Sequence, residues 1–338
     1  MSLPKVMRAV VCPSVPIPPS GLKYTTEHPT PTPKAGHVLI RIRAFGLNRS
    51  ELFTRQGMSP GLEFPRVLGI ECVGEVKDSG GGEAWKEGDI VAAAMGGLGR
   101  KFDGGYAEYA LVPHKSVSLP VTLPKNIGWA EFAAIPETFL TAWGTLGQSL
   151  NLTSEDTLLI RGGTTSVGLA MATLAKTLFA VPKVIATTRS SAKIDVLTAA
   201  GVDHAIVDTG NVSEEVMRLT DDKGVTKCVE LVGATALADS CASLSSHGVI
   251  TFVGGVSGQF VVENFDPMGS LAPFKHLTMY GSEALEIAKA PLQKIVDAIA
   301  EGEIKLGLDK VFNMADVGEA HAFMEANKAK GKVVCVVD

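Results

Sequence analysis

What this chain has little of sets the first limits. Its 338 residues hold five cysteines, Cys12, Cys72, Cys228, Cys241 and Cys335, with no Cys-x-x-Cys pair and no close Cys/His spacing. An odd, dispersed set excludes a disulfide scaffold and reads as reduced, mostly buried thiols of a cytosolic protein, with no metal site built from them. Basic residues are not in excess. Thirty-one Lys and Arg stand against 36 Asp and Glu, a net charge of -5 that argues against a nucleic-acid binder, which needs a basic face. No apolar run reaches membrane-spanning length, and the N-terminus lacks a charged region followed by an apolar core and a cleavage site. A cytoplasmic protein with no membrane and no nucleic-acid partner is expected.

What is present describes a globular chain long enough for two domains, 46% hydrophobic and 20% charged, with no repeat or low-complexity segment. Residues 6–120 read as short strands with glycine turns: 7–11, the alternating 38–44, 71–76, 90–94 and 106–112. That texture predicts a small barrel or sandwich. After Pro124 the texture changes. Residues 129–150 have helical spacing, and strand-helix units follow: strands at 157–160, 183–188, 204–207, 228–232, 248–253 and 277–281, with helices at 192–200 and 213–219 among them. Strands alternating with helices predict a parallel, doubly wound sheet. Two amphipathic helices, 290–300 and 317–329, precede a closing apolar strand, 332–337, expected to return to the first domain.

The organising stretch is DTLLIRGGTTSVGLAMATLAK, residues 156–176: a strand, a small-residue turn over 162–166, and a helix opening at about Val167. Such a turn aims backbone N–H groups and the helix dipole at one point, which suits a phosphate. In the G-x-G-x-x-G frame Gly163 and Gly168 fill the outer positions, but the middle one is Thr165, whose hydroxyl is expected to take part in the binding. Gly163, Thr164, Thr165, Ser166 and Val167 are therefore the candidate pyrophosphate residues. An ordinary strand-turn-helix corner is the alternative for this stretch taken alone. At the end of the second strand such folds separate NAD from NADP by an acid or a base. Here Thr188 is followed by Arg189, Ser190, Ser191 and Lys193, with no acid to repel a phosphate, which favours NADPH over NADH.

Seven segments, in order, carry a resemblance over nearly the whole chain: AFGLNRSEL (44–52), PRVLGIECVGEV (65–76), DGGYAEY (103–109), PETFLTAW (136–143), LLIRGGTTSVG (158–168), TFVGG (251–255) and GKVV (331–334). With these the chain resembles the medium-chain dehydrogenase/reductase superfamily, and within it the zinc-free quinone oxidoreductase, or zeta-crystallin-like, branch. In zinc-dependent members a Cys, a His and a third ligand surround an open metal position. The resemblance puts Asn48 at the Cys position, Ile70 at the His position and the third position near Glu137, and only Glu71 survives of the G-H-E-x-x-G segment. The four-cysteine structural zinc lobe has no counterpart, since no cysteine lies between Cys72 and Cys228.

The resemblance implies an α/β chain in which a Rossmann domain, residues 127–283, is inserted in a GroES-like, mostly β barrel catalytic domain, residues 1–126 and 284–338, with the active site in the cleft between them. It also implies NADPH as hydride donor, a quinone or α,β-unsaturated carbonyl as acceptor, no zinc, and homodimers formed through the edge of the Rossmann sheet. Asn48 becomes the first catalytic candidate, as an amide that donates to the oxygen where negative charge builds; the alternative is a loop-shaping residue. Arg55 is the second, with a solvated or ion-paired side chain as its alternative. Thr141 is expected beside the nicotinamide, while Gly233, Gly254 and Gly255 follow strands at the carboxyl edge of the sheet. Glu71 and Glu137 are expected to pair with internal cations rather than to touch substrate. Positions where relatives carry pocket tyrosines hold Phe53 and Ser59. Two competing functions stand beside the reductase: an enoyl-thioester reductase on the same scaffold, and a nucleotide-binding protein with little turnover.

Overall fold

The structure is a computed structural model that describes residues 3–263, 266–281 and 286–338. The chain forms two compact units: Met1–Leu140 with Ser282–Gly302 and Leu306–Asp338, and Thr141–Gly281 with Glu303–Lys305. In chain order the first unit contributes β1 (Val6–Cys12), β2 (Lys23–Pro29), β3 (His37–Gly46), β4 (Arg66–Val67), β5 (Glu71–Asp78), β6 (Ile90–Ala94) and β7 (Tyr109–Pro113). The second contributes β8 (Thr157–Arg161), β9 (Lys183–Thr188), β10 (His204–Val207), β11 (Val225–Glu230), β12 (Leu244–Phe252) and β13 (His276–Met279). The chain then returns to the first unit with β14 (Leu308–Asn313) and β15 (Lys332–Val336). Four helices matter below: α1 (Arg49–Arg55), α2 (Trp129–Ala133), α3 (Pro136–Trp143) and α4 (Ser166–Thr177).

In the first unit a three-stranded sheet, β2-β1-β4, accompanies a larger one ordered β14-β15-β3-β5-β6, with β7 also on β3. The long β3 pairs antiparallel with β5, with β7 over its first half and with β15 at its end. The closing strand therefore returns to the first unit, as its apolar pattern predicts. One core of inward-facing residues, among them Ile40, Ile42, Phe45, Val91 and Tyr106, fills the space beneath, and Cys12, Cys72 and Cys335 sit in it as small apolar side chains. All five thiols are free and buried.

The second unit is a six-stranded sheet ordered β10-β9-β8-β11-β12-β13 with every neighbouring pair parallel. This order places the break between the two halves of the sheet beside β8, whose carboxyl end feeds the glycine turn and α4. Cys228 and Cys241 belong to its own core with Leu159, Ile185 and Ile250. Among the described residues no helix is long and apolar enough to cross a membrane.

Several local expectations change. The strand expected over 106–112 begins only at Tyr109. Before it, Gly104, Gly105 and Tyr106 donate their backbone N–H groups to Val67, Gly69 and Leu68, and the Tyr106 ring packs on Phe45 at 4.8 Å between centroids. The helix expected over 129–150 is α2, then α3, then a π-helical turn Gly144–Ser149. Pro136 has no N–H to continue α2, so a new helix starts there. The contacts group residues 127–140 with the first unit, because α2 packs on β3, β5 and β15. The expected second boundary, 283/284, lies outside the described residues.

A buried ion cluster ties the second unit together. Arg161, 1% exposed at the end of β8, donates from Nε to Asp208 at 2.5 Å and from Nη1 to Asp239 at 2.6 Å. Asp239 also accepts the N–H groups of Val212 and Ser213 at the start of the helix Ser213–Leu219. Replacing Arg161 by Met strands two carboxylates with little water, so we expect Arg161→Met to lower the unfolding free energy by about 3 kcal/mol. Urea denaturation of the variant against the parent measures this; a loss well under about 1 kcal/mol would contradict it.

Candidate active site

The site in the first unit is built where four of its signature segments meet. β3 ends at Gly46, and the next residue, Leu47, donates its N–H to Val333 in β15 at 2.9 Å. That register, with Val334 opposite Gly46, brings Lys332 beside Asn48. Asn48 has an extended backbone and caps the N-terminus of α1. Glu51 in the first turn accepts the N–H groups of Asn48 and of Ile70, each at 3.0 Å, and so fixes the cap to the chain entering β5. Glu71 opens β5 and is wholly buried; Lys332 opens β15 and is 5% exposed.

Around Asn48 the polar atoms are almost fully matched. The Lys332 ammonium donates to Asn48 Oδ1 at 2.5 Å and pairs with Glu71 Oε1 at 2.6 Å, with Glu137 Oε2 at 3.9 Å. Asn48 Nδ2 donates to the same Glu71 oxygen at 2.9 Å, and Glu71 Oε2 accepts the Glu137 N–H at 2.8 Å. An ammonium can only donate and a carboxylate can only accept, so the amide has one orientation: oxygen to Lys332, nitrogen to Glu71. One Nδ2 hydrogen then has no partner among the described residues, and Asn48 is only half-buried. A Cβ at Gly46 would lie 2.2 Å from Glu71 Oε1 and 2.7 Å from Lys332 Cε, so this glycine provides the room the ion pair occupies.

Burial alone would lower the Lys332 pKa; Glu71 and Glu137 more than reverse this and hold it above the ordinary lysine value. Burial dominates at Glu51 and pushes its carboxyl up to about 7, against the backbone N–H donors and Lys332, which favour the charged form. Sequence reading passed over Lys332 and Glu51 as functional residues. The signal for Lys332 was a lysine opening an apolar strand, inside the GKVV segment.

Arg55 does not join this group. Its guanidinium is buried on the Ile17 carbonyl, the Glu325 carboxylate and His321 Nδ1, which corrects its reading as a residue facing substrate and favours the ion-paired alternative. Burial, then Arg55, pushes His321 down to about 3. It is neutral, with its Nε2 hydrogen directed to the Tyr106 hydroxyl at 3.1 Å.

In the second unit the candidate cofactor residues gather at the carboxyl ends of β8, β9, β11 and β12. Gly163 donates to the Thr187 carbonyl at 2.9 Å, tying the turn to the end of β9. A Cβ at Gly168 would meet the Gly162 and Gly163 carbonyl oxygens at 2.8 Å, so α4 can approach the turn this closely only with glycine there. Thr165 caps α4: its hydroxyl donates to the Gly162 carbonyl and accepts the Gly168 N–H, both at 3.0 Å. This corrects the expectation that the hydroxyl takes part in binding pyrophosphate, because the turn itself uses it. Ser166 and Val167 supply the first N–H groups of α4, which have no partner further back in the helix, and Thr164 is half-buried beside them. Thr188 is buried, with its hydroxyl engaged with Ser190, whereas Arg189 and Lys193 are exposed and form no ion pair among the described residues. Gly233, with φ +123°, donates to Glu230, and Gly254 and Gly255 follow β12. Thr141 is buried within α3.

This geometry agrees with what the chain is similar to. The family described as Alcohol dehydrogenase GroES-like domain matches residues 34–124, and the family described as Zinc-binding dehydrogenase matches residues 200–335. The chain belongs to the medium-chain dehydrogenase/reductase superfamily, and it is an oxidoreductase of the kind that binds a nicotinamide dinucleotide. Within the superfamily it stands with the quinone oxidoreductase branch. It is 28% identical over 321 residues to the quinone oxidoreductase of Pseudomonas aeruginosa, covering 94% of this chain and 95% of that one. The human quinone oxidoreductase is 26% identical over 333 residues, with 94% of each chain covered. Among solved structures, mycobacterial Rv1454c complexed with NADPH superposes with a TM-score of 0.82 at 28% identity, covering 98% of this chain and 99% of that one.

The Glu51 carboxyl generates a pH test. A carboxyl that holds its proton more tightly folded than unfolded stabilises the fold below about pH 4.5, and that contribution is lost as the pH rises to about 7. We expect the stability difference between the parent and a Glu51→Gln variant to shift against the parent by about 3 kcal/mol over that window. Urea midpoints taken at several pH values check this; a difference independent of pH would contradict it.

Proposed function

We propose that this chain is an NADPH-dependent reductase that transfers hydride to a quinone or an α,β-unsaturated carbonyl without zinc. The observation that carries the reading is the Asn48 amide, turned by Lys332 and Glu71 so that one N–H remains to be offered. When bound, NADPH supplies the hydride. Asn48 holds the acceptor oxygen on which negative charge builds, and a proton from water completes the hydroquinone or the saturated carbonyl. The residues at this place do not suit zinc. Position 70 offers an isoleucine and position 48 an amide, and the Lys332 ammonium already lies among Asn48, Glu71 and Glu137.

Exposed Arg189 and Lys193 support NADPH over NADH. Asp208, whose Oδ2 lies 3.4 Å from the Thr187 hydroxyl at the end of β9, is the nearby acid that would oppose a phosphate, and Arg161 compensates it. We expect Arg189→Ala with Lys193→Ala to weaken NADPH binding about tenfold or more and to leave NADH binding unchanged. Fluorescence titration of both nucleotides reads this, and equal effects on the two would contradict it. Titration followed by absorbance decay with quinone and enone panels tests the activity; NADPH binding with no acceptor-dependent decay would contradict the reductase.

A homodimer through the β13 edge completes the reading. β13 is an end strand of its sheet, and Leu277, Met279 and Phe274 are exposed there. Light scattering is expected to give twice the 35.4 kDa chain mass, and a single-chain mass would contradict it.

A further inference from the structure

We propose that Lys332 is a positioning residue for this reduction: its ammonium takes the place of a metal among the side chains at the ligand positions and sets the Asn48 amide as a donor. The proposal rests on the reductase reading. At 5% exposure Lys332 does not reach substrate, so whatever it does for the chemistry passes through Asn48.

Three features point this way. The ammonium donates to Asn48 Oδ1 at 2.5 Å and pairs with Glu71 Oε1 at 2.6 Å, while the Glu137 carboxylate, 3.9 Å away, adds charge without a hydrogen bond. The family resemblance puts one metal-ligand position at Asn48 and another near Glu137. A cation hydrogen-bonded to an amide oxygen draws density from the nitrogen and makes the remaining N–H a stronger donor, an effect that low local polarity enlarges. Finally, the chain makes room for the pair at a cost. It places a lysine at the head of the buried strand KVVCV and a glycine at position 46, where a Cβ would strike both members of the pair. A purely structural tie between β15 and β5 needs neither an amide bridging the two charges nor a spare N–H on that amide.

The test is a double-mutant cycle on NADPH oxidation with the preferred quinone or enone. Asn48→Ala is expected to lower kcat about 100-fold and Lys332→Met about 10-fold or more, each with NADPH affinity, read by fluorescence without acceptor, unchanged within about twofold. In the Asn48→Ala background Lys332→Met is expected to cost less than about twofold, because its effect has no other route. An equal loss in both backgrounds would mean that Lys332 only holds the fold, and would overturn the proposal while leaving the reductase intact. A parent that oxidises NADPH with none of the quinones and enones tested overturns the reductase reading and the proposal with it, and is seen before any variant is made.

Lys332→Met leaves Glu71 buried without its partner, so the pair Glu71→Gln with Lys332→Met, which carries neither charge, is measured alongside and is expected to show the same non-additivity. A readout independent of turnover is the Asn48 side-chain amide cross-peak of the cofactor-free protein, identified by its loss in Asn48→Ala. It is expected to shift in Lys332→Met, and an unchanged cross-peak would overturn the proposal.

Discussion

An ammonium in an apolar core is tolerated only when its charge is compensated and most of its donors find partners, and four elements of the first unit converge to do this for one. Lys332 needs Glu71, Glu71 needs the Glu137 N–H and the Asn48 amide, and Asn48 is held at its backbone by Glu51. Each partner comes from a different element: the closing strand β15, the head of β5, the start of α3 and the cap of α1. The strand pairing that puts Val334 opposite Gly46 serves this cluster as much as it serves the sheet. Removal of one member of such a set costs far more than the set contributes over apolar replacements, which ties the site to the folded core.

The second unit follows the same logic, again with one cation among carboxylates. One guanidinium, Arg161, compensates Asp208 and Asp239 beneath the carboxyl edge of the sheet. Directly after it the chain turns through Gly162 and Gly163 into α4, whose first N–H groups have no partner further back in the helix. The cluster thus sits at the end of the strand that feeds the turn, and Arg189 and Lys193, in the next crossover, are exposed.

Local pattern made much of this readable. The alternation in β3, the apolar strand before the glycine turn and the strand-helix rhythm after residue 156 each follow from a period of two or of 3.6, which neighbours in sequence reveal. The Asn48 segment and the absence of thiolate and imidazole at positions 48 and 70 were legible as well. The rest was not, for a definite reason. Arg55 finds His321 and Glu325 across separations of 266 and 270 residues, and Lys332 finds Asn48 across 284. No local period carries such pairings. Thr165 was misread for a different reason: a hydroxyl at a helix start serves equally as a phosphate donor or as a cap, and only the positions of Gly162 and Gly168 decide.

Whether the Lys332 ammonium keeps a metal out of its place beside Asn48 and Glu71 is the decisive question. Crystals soaked in zinc and measured at the zinc absorption edge test this most directly. No anomalous peak is expected within coordination distance of Glu71, with Lys332 still on Asn48 and Glu71. A peak bridging Glu71 and Glu137, with Lys332 swung away, would contradict it.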